Sequence, residues 1–303
     1  MFGATCFCCL SPQSSASATT DAAPLVEVEA GLFFRRGLNE DATAVNLDAI
    51  ANIGFVMGRD CVAVIDAGGS LPDGQNLRRA IREITDLPIR YVVLSHVHPD
   101  HIFGAAAFKE DNPVFIGHAR LPEQLMQRGE FYRQGLERIL KAGAVDNPVS
   151  PTLLVRDRLE IELGGRILKL AAHPPAHTMC DLSVVDARSG ILIAADLLFS
   201  GRVPVLDGDL KGWLAELAGL TASGVLRAVP GHGPALVDWR EAEAAQRRYL
   251  TALLEGTRTA IARGVPIEEA ANTVAQSERD KWQLFDSYHA RNVISAYRRL
   301  EWE

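Results

Sequence analysis

Short apolar runs, separated by glycine, aspartate and proline, dominate the first 230 residues of the chain. Runs of four to eight such residues, rich in valine, isoleucine and leucine, favour buried β-strands. The predicted strands span residues 25–34, 53–57, 61–65, 91–94, 113–116, 153–155, 159–163, 167–171, 182–185, 191–194 and 225–229. Gly58, Arg59 and Asp60 separate two of these runs and predict a hairpin.

Helical spacing of apolar residues predicts helices over residues 73–85, 101–108, 121–141 and 210–220. From Trp239 onwards the strand pattern stops, and apolar stripes with helical spacing continue to the end. Two β-rich halves with helices favour a sheet packed on a sheet with helices outside. The pattern predicts a disordered leader or signal remnant over 1–23, a main domain over 24–240, and helices over 241–303 packed on that domain.

The formal net charge of −7 and the lack of a block of Lys and Arg disfavour nucleic-acid binding. A small-molecule substrate is expected. No apolar run approaches the length of about 18 residues that a membrane span requires.

The leader carries Cys6, Cys8 and Cys9, followed by a Ser- and Ala-rich stretch, and its first ten residues contain no Lys or Arg. The stretch is similar to the end of a secretory signal without its basic start. Export to the periplasm is therefore expected, with a cytoplasmic location as the alternative.

The sharpest chemical feature is the string from His96 to His101, which reads His-Val-His-Pro-Asp-His and directly follows a predicted strand. Three imidazoles and a carboxylate so close together are costly to bury without a partner, which a divalent cation supplies. His96 and His98 can bind one metal, while Asp100 and His101 can turn toward a second. Imidazole and carboxylate ligands suit zinc, and also iron or manganese.

This H-x-H-x-D-H string resembles the signature of the metallo-β-lactamase superfamily. Three further motifs follow in the family's order: Ala176-His177-Thr178 with Ala in place of Gly, Asp196 after a strand, and Pro230-Gly231-His232-Gly233. The resemblance covers about residues 25–240. It implies an α/β fold, an αββα sandwich of the metallo-β-lactamase type with a helical C-terminal extension.

The resemblance also implies a dinuclear metal site. One metal is expected on His96, His98 and His177, the second on Asp100, His101 and His232, and Asp196 is expected to bridge them. Zinc is the expected ion, with iron or manganese as alternatives. Because Asp occupies the bridging position, the resemblance argues against the cysteine-containing β-lactamases.

The activity implied is hydrolysis of an ester-like bond, such as a thioester, lactone, ester or amide, by a hydroxide shared between the two metals. Asp100 is expected to orient this nucleophile and take its proton, as the catalytic residue. Alternatives are a mononuclear iron sulfur dioxygenase, a β-lactam hydrolase, and an accessory role without catalysis.

A narrower resemblance is carried by residues 40–46, 51–55 and 196–214. These stretches are similar to zinc metallohydrolases associated with bacterial quinoprotein relay systems. The resemblance implies a periplasmic setting and a periplasmic quinoprotein partner.

Three further residues are candidates for supporting roles. Asp66 ends a predicted strand, and in the superfamily an acid at this place supports the metal-binding loop. His118 follows a strand where some relatives carry a residue facing the substrate. Arg202 is a candidate for binding a substrate carboxylate, with a salt bridge to Asp207 or Asp209 as the alternative.

Overall fold

The computed structural model describes residues 24–303. The expected leader, with Cys6, Cys8 and Cys9, lies outside the described residues. Two mixed β-sheets pack face to face, and helices cover the outer face of each sheet. This architecture confirms the predicted αββα sandwich with a helical C-terminal region.

The first sheet contains seven strands, in the same order in space as in the chain. Its strands are β1 Val26–Glu29, β2 Leu32–Arg35, β3 Ile53–Met57, β4 Val62–Ile65, β5 Ile89–Leu94, β6 Val114–His118 and β7 Leu153–Val155. The pairs from β1 to β4 are antiparallel, and the pairs from β4 to β7 are parallel. The carboxyl ends of β4, β5 and β6 therefore meet at one edge of the sheet.

The second sheet contains six strands in the order β13-β12-β11-β10-β9-β8. Its strands are β8 Arg158–Glu162, β9 Ile167–Ala172, β10 Leu182–Asp186, β11 Leu192–Phe199, β12 Arg227–His232 and β13 Val237–Asp238. Only β11 and β12 pair in parallel. The carboxyl ends of these two strands therefore lie together.

Seven α-helices cover the two sheets in the part of the chain from Pro24 onwards. They are α1 Leu71–Ile84, α2 Pro99–Ile102, α3 Leu121–Ile139, α4 Leu210–Ala222, α5 Trp239–Ala262, α6 Ile267–Thr273 and α7 Phe285–Leu300. Two 3₁₀ helices span Ala105–Asp111 and Gln276–Lys281. Within these described helices, none is both long and apolar enough to cross a membrane.

Three apolar clusters hold the layers together. Residues from both sheets, including Val93 and Ile193, form the cluster between the sheets. A second cluster joins the first sheet to α1 and α3, and a third joins the second sheet to α4, α5 and α7. Burial of apolar surface on both faces of each sheet is therefore the main contribution to stability.

A buried ion pair ties strands of the second sheet to the first. Arg166 Nε and Nη2 donate to the two carboxylate oxygens of Asp186 at 2.9 and 3.0 Å. Arg166 Nη1 also donates to the carbonyl oxygens of Ala30 and Met57. Because both charged groups are almost completely buried, removing either one alone leaves an uncompensated charge.

The prediction of a single strand over residues 25–34 is wrong. The chain reverses at Ala30 and Gly31, and β1 pairs with β2 as a hairpin. Gly31 has a φ of 74°, a left-handed conformation that glycine adopts at little cost. Glu27 Oε1 accepts a hydrogen bond from the Gly31 N–H at 2.8 Å, which further stabilises the turn.

The predicted helix over 101–108 is also divided. The structure has the four-residue helix α2, followed by the 3₁₀ helix from Ala105. Gly104 allows a close approach here, since a Cβ at this position would lie 2.1 Å from the carbonyl oxygen of Ala67. The break holds α2, with its two candidate ligands, against the end of β4.

Candidate metal centre

Seven imidazole and carboxylate side chains converge at the edge where the two sheets meet. They are His96 and His98 after β5, Asp100 and His101 in α2, His177 between β9 and β10, Asp196 within β11, and His232 at the end of β12. They form two groups, and within each group the facing nitrogen and oxygen atoms all lie within 4.8 Å of one another. All seven ligands predicted from the sequence are thus brought together.

The first group contains His96, His98, His177 and Asp196. His98 Nδ1 lies 3.1 Å from His96 Nε2 and 3.0 Å from His177 Nε2. Asp196 Oδ2 lies 3.3 Å from His177 Nε2 and 3.8 Å from His96 Nε2. Ligands bound to one cation at about 2.0–2.2 Å are separated by about 3–3.6 Å, so these spacings fit a tetrahedral site.

The second group contains Asp100, His101 and His232. Asp100 Oδ2 lies 3.3 Å from His232 Nε2 and 3.7 Å from His101 Nε2. Asp196 reaches this group as well, with Oδ1 at 3.0 Å from His101 Nε2 and Oδ2 at 3.5 Å from His232 Nε2. Its carboxylate is therefore positioned between the two groups.

Two buried atoms of the centre lack a hydrogen-bond partner. Nε2 of His101 and Oδ1 of Asp196 are 3.0 Å apart but are not aligned for a hydrogen bond, and each is left unsatisfied. Unsatisfied buried polar atoms are costly, and a divalent cation would supply the partner that both lack. The donor set therefore fits a bound metal.

The second ring nitrogen of each histidine has a fixed partner, which sets the orientation of the ring. The pairs are His96 Nδ1 with Ser95 Oγ, His98 Nε2 with Asp207 Oδ2, His101 Nδ1 with Asp66 Oδ2, His177 Nδ1 with the Val205 carbonyl and His232 Nδ1 with the Ile50 carbonyl, at 2.7 to 3.1 Å. Metal-binding histidines typically use their second nitrogen in this way. All five imidazoles are therefore held with one nitrogen facing the centre.

Asp66 supports two parts of the metal-binding loop. Its Oδ2 faces His101 Nδ1 at 2.7 Å and accepts from Ser95 Oγ at 2.8 Å, while Oδ1 accepts from the Ser95 N–H. Since Ser95 Oγ uses its proton on Asp66, it accepts a hydrogen bond from His96 Nδ1. The position of Asp66 is the one expected from the sequence.

The backbone around Asp196 is shaped to bring this side chain to the centre. Ala195 has a φ of 46°, and the register between β11 and β12 shifts at this residue. Gly231 lies against the carboxylate, because a Cβ at position 231 would be only 1.8 Å from Asp196 Oδ1. The glycine before His232 is therefore required by the close approach of the two strands.

The charges of the centre favour a cation. Burial opposes ionisation of Asp196, but the adjacent His232 and His101 outweigh it and hold the pKa of the carboxyl well below its usual range. Burial also lowers the pKa of His96, with the charge of His101 adding to the effect. Ionised Asp196 and neutral His96 are thus in the forms that bind metals.

His101 differs from His96. Burial opposes its protonation, but the surrounding carboxylates, led by Asp196, raise the pKa of the imidazole well above its usual value. His98 behaves similarly, because a hydrogen bond to Asp207 outweighs the effect of burial and raises its pKa. A metal bound by these two rings would compete with their protons.

The model of one protein family matches residues 48–232, a span that contains every residue of both groups. That family is the metallo-beta-lactamase superfamily.

The chain belongs to the metallo-beta-lactamase superfamily.

Similar proteins include several hydrolases of this superfamily. A linear primary-alkylsulfatase from a Pseudomonas strain is 25% identical over 207 residues, which are 56% of this chain and 39% of the relative. The solved structure of the sec-alkylsulfatase Pisa1 from Pseudomonas has a TM-score of 0.72 at 19% identity, with 91% of this chain and 50% of that chain covered. The chain therefore spans two fifths to a half of the length of these relatives.

The structure of a metallo-beta-lactamase from Pontibacter korlensis is similar to this chain over nearly its own whole length. Its structure matches 75% of this chain and 98% of its own, with a TM-score of 0.61 and 16% identity. The family match and the hydrolases among the similar proteins support an enzyme with the metallo-beta-lactamase fold. The superfamily predicted from the sequence is thereby confirmed.

His118 and Arg202, the other two candidates from the sequence, lie outside the two groups of facing side chains. His118 is buried at the end of β6, and its Nδ1 accepts from the Arg120 N–H at 2.9 Å, so its ring is not part of either metal group. Arg202 is only 3% exposed, and its Nη1 lies 3.4 Å from His232 Nδ1. Its Nη2 donates to the Tyr288 hydroxyl at 3.2 Å.

The alternative of a salt bridge from Arg202 to Asp207 or Asp209 is wrong. Asp207 forms a salt bridge with Arg128 of α3, and Asp209 instead caps α4 by accepting from the Gly212 N–H at 2.6 Å. Arg202 has no carboxylate partner within 4 Å among residues 24–303, although its guanidinium is buried beside the centre.

Asp207 contacts the candidate metal centre in a way that the sequence did not reveal. Its Oδ2 lies 3.1 Å from His98 Nε2 and also accepts from the Arg128 guanidinium. The two cationic partners outweigh the effect of burial and lower the pKa of its carboxyl. No local pattern marks this role, since the contact depends on the loop after β11 folding back to α3.

A cleft of about 640 Å³ opens beside His98. Its walls are α3 on one side, the loop around Asp207, and α7 on the other side. Its volume is typical of a site for a small molecule. The candidate metal centre is therefore reached from an open cleft that the C-terminal helix helps to form.

Proposed function

We propose that the protein is a dinuclear metal-dependent hydrolase that cleaves an ester-like bond. The observation that carries this proposal is the pair of groups that share Asp196, with facing atoms 3.0 to 3.8 Å apart. In each of the five imidazoles, the nitrogen that points away from the centre is held by a partner. We assign His96, His98 and His177 to one metal, Asp100, His101 and His232 to the other, and Asp196 to both.

Two divalent cations held by these groups would supply Lewis acidity, which would lower the pKa of water toward about 7 and stabilise developing negative charge. Asp100 is the side chain that we assign to orient the attacking water and take its proton, because its Oδ2 faces His101 and His232 while its side chain stays 14% exposed. Among residues 24–303, no hydrogen bond fixes Asp100 Oδ1, whereas hydrogen bonds fix the carboxylates of Asp66 and Asp207.

Zinc is the ion that we propose, since imidazole nitrogen and carboxylate oxygen are among its preferred ligands. Iron or manganese fit the same donors. Metal analysis of the purified protein separates the alternatives: two zinc ions per chain support the hydrolase, and a single iron ion per chain with consumption of oxygen supports a sulfur dioxygenase.

The substrate class is tested with a panel of ester-like bonds: thioester, lactone, carboxylic ester, amide, phosphodiester and β-lactam. An alkyl sulfate belongs in the panel because alkylsulfatases are among the similar proteins. We expect turnover of at least one member by the zinc-loaded enzyme.

Substitution of the centre gives the decisive comparison. Asp100→Ala and His98→Ala should each abolish turnover, whereas Asp280→Ala, at an exposed position far along the chain, should not change it. Full rates in both active-site variants would show that the catalytic assignment is wrong.

We also propose that the protein acts beside a periplasmic quinoprotein system. The support is the resemblance of residues 40–46, 51–55 and 196–214 to zinc metallohydrolases of such systems. Cell fractionation of the source organism and co-purification with a quinoprotein dehydrogenase test this setting, and recovery of the protein from the cytoplasm alone would exclude it.

A further inference from the structure

The cleft beside His98 has a charge opposite to that of the whole protein. The chain has a net charge of −7. Among the residues that line the cleft, four are arginines, namely Arg128, Arg291, Arg298 and Arg299. Asp207 is the only acidic residue in the described lining, and it already contacts His98 and Arg128. The cleft therefore attracts anions.

Three of these arginines lie on α7 and have no carboxylate to neutralise them. Arg291, Arg298 and Arg299 form no salt bridge within the described part of the chain, and Arg291 lies only over the Tyr288 ring. The one acid of α7, Asp286, pairs instead with Arg279. Their charge is thus available to a ligand.

Arg128 is close to the metal centre through Asp207 and His98, whereas Arg298 and Arg299 lie further away along α7. Tyr288 at the start of α7 contacts Arg202, which is adjacent to His232. Arg298 and Arg299 lie ten and eleven residues further along α7, about 15 Å away at 1.5 Å per residue. A ligand that reaches from the metals to these arginines must be extended.

Part of the cleft lining is apolar. Phe131 of α3 lines the cleft with 74% of its surface exposed, and Ile294 of α7 lines it as well. Exposed aromatic surface beside a catalytic centre is typical of a ligand-binding wall. The cleft thus combines a candidate metal centre, apolar surface and cationic side chains.

Resting on the proposed function, we infer that the substrate is an elongated amphipathic anion. Its ester-like bond lies at the metal centre, its apolar chain lies against Phe131 and Ile294, and an anionic group at its far end, such as a carboxylate, binds Arg298 and Arg299. Arginine suits this role because its planar guanidinium binds a carboxylate with two hydrogen bonds.

A competing explanation is that Arg298 and Arg299 serve only the stability of α7. Both lie in its last turn, where positive charge interacts favourably with the helix dipole. This explanation predicts a change in stability without any change in ligand preference. The two explanations therefore differ in what a binding measurement shows.

The test compares two ligands that differ only at the far end. Dodecanoate and dodecanedioate share one carboxylate and the chain, and only dodecanedioate carries a second carboxylate. Their binding to the zinc-loaded enzyme is measured by calorimetry. We expect dodecanedioate to bind about tenfold more tightly, and the Arg298→Gln/Arg299→Gln variant to lose this preference.

The matched control is Arg240→Gln/Arg263→Gln, which removes two exposed arginines of α5 and its C-terminal cap and so causes the same change in net charge. This variant should keep the preference. Equal binding of both acids to the unmodified enzyme, or a preference that survives in Arg298→Gln/Arg299→Gln, would overturn the inference.

The outcome is separate from that of the proposed function. If no ester in the panel is cleaved but the preference depends on Arg298 and Arg299, the cleft binds anions and the hydrolase proposal fails. If esters are cleaved and the preference is absent, the hydrolase proposal stands and the inference about the substrate is refuted.

Discussion

Gly231→Ala is the smallest change that should disable the metal centre. A Cβ at this position would lie 1.8 Å from Asp196 Oδ1, 2.8 Å from the Ala195 carbonyl carbon and 2.9 Å from the Asp196 nitrogen. Two of these atoms belong to the backbone of β11, so the new methyl group has no direction in which to yield. Either the Asp196 carboxylate or strand β12 must move.

The size of the effect follows from these distances. Asp196 Oδ1 must retreat by more than about 1 Å to reach ordinary contact, and misplacement of a catalytic group by about 1 Å costs about 100-fold in rate. Overpacking of this kind costs about 1–3 kcal/mol of stability, which a domain of this size tolerates. We therefore expect a folded protein with weaker metal binding and at least 100-fold lower kcat/KM.

The assay combines metal content per chain, kcat/KM on the best substrate of the panel, and thermal unfolding. Gly219→Ala is the matched control, since a Cβ at this position in α4 meets no atom within 4 Å. Replacing a glycine within a helix by alanine should raise stability by about 0.5–1 kcal/mol and leave activity unchanged. If Gly231→Ala binds two metals with unchanged affinity and full activity, the close approach of the two strands does not govern the centre.

Three other outcomes are expected. Asp66→Ala removes the acceptor that holds the His101 ring, and should weaken zinc binding about 10- to 100-fold. A titration against a competing chelator measures this affinity, and an unchanged affinity would contradict the supporting role of Asp66. Because the pKa of His101 is raised in the metal-free protein, zinc binding should release protons near pH 7 and should weaken as the pH falls. Calorimetry in two buffers of different ionisation enthalpy measures this proton release. Equal apparent binding enthalpies in the two buffers would refute the prediction. Arg166→Met removes the ion-pair partner of the buried Asp186 carboxylate and should lower the free energy of unfolding, measured in urea, by about 3–5 kcal/mol. The control Lys169→Met removes an exposed ion pair and should lower it by less than about 1 kcal/mol. Similar losses in the two variants would contradict the reasoning.

The centre itself could be predicted because its chemistry is concentrated in the sequence. Four ligands lie between His96 and His101, and such a string has few explanations other than a metal. Asp66 was found through the resemblance, and its two contacts in the structure agree with a supporting role. Sequence motifs therefore identified the residues that converge at the candidate metal centre and one residue that supports them.

Contacts between distant loops could not be predicted in the same way. Asp207 seemed a partner for Arg202 because the two are close in sequence, but its carboxylate faces Arg128 on α3 and leaves Arg202 beside His232. The cationic cleft was hidden for a similar reason: its arginines come from α3 and α7, and only the packing of those helices places them on one surface.

The sequence pattern also failed to predict a tight turn. The apolar alternation from Leu25 to Phe34 continues through Ala30 and Gly31, so the pattern alone indicated one strand. The hairpin depends on the positive φ of Gly31 and on the Glu27 side chain, neither of which interrupts the periodicity.

The origin of the ligands has a consequence for assembly. His96, His98, Asp100 and His101 come from the first sheet and its helix, while His177, Asp196 and His232 come from the second. Each cation would therefore be shared across the seam, and a chain cut between α3 and β7 would yield two fragments that are both incomplete as chelators. Zinc should then promote complementation of the two fragments, so that their association depends on the zinc concentration.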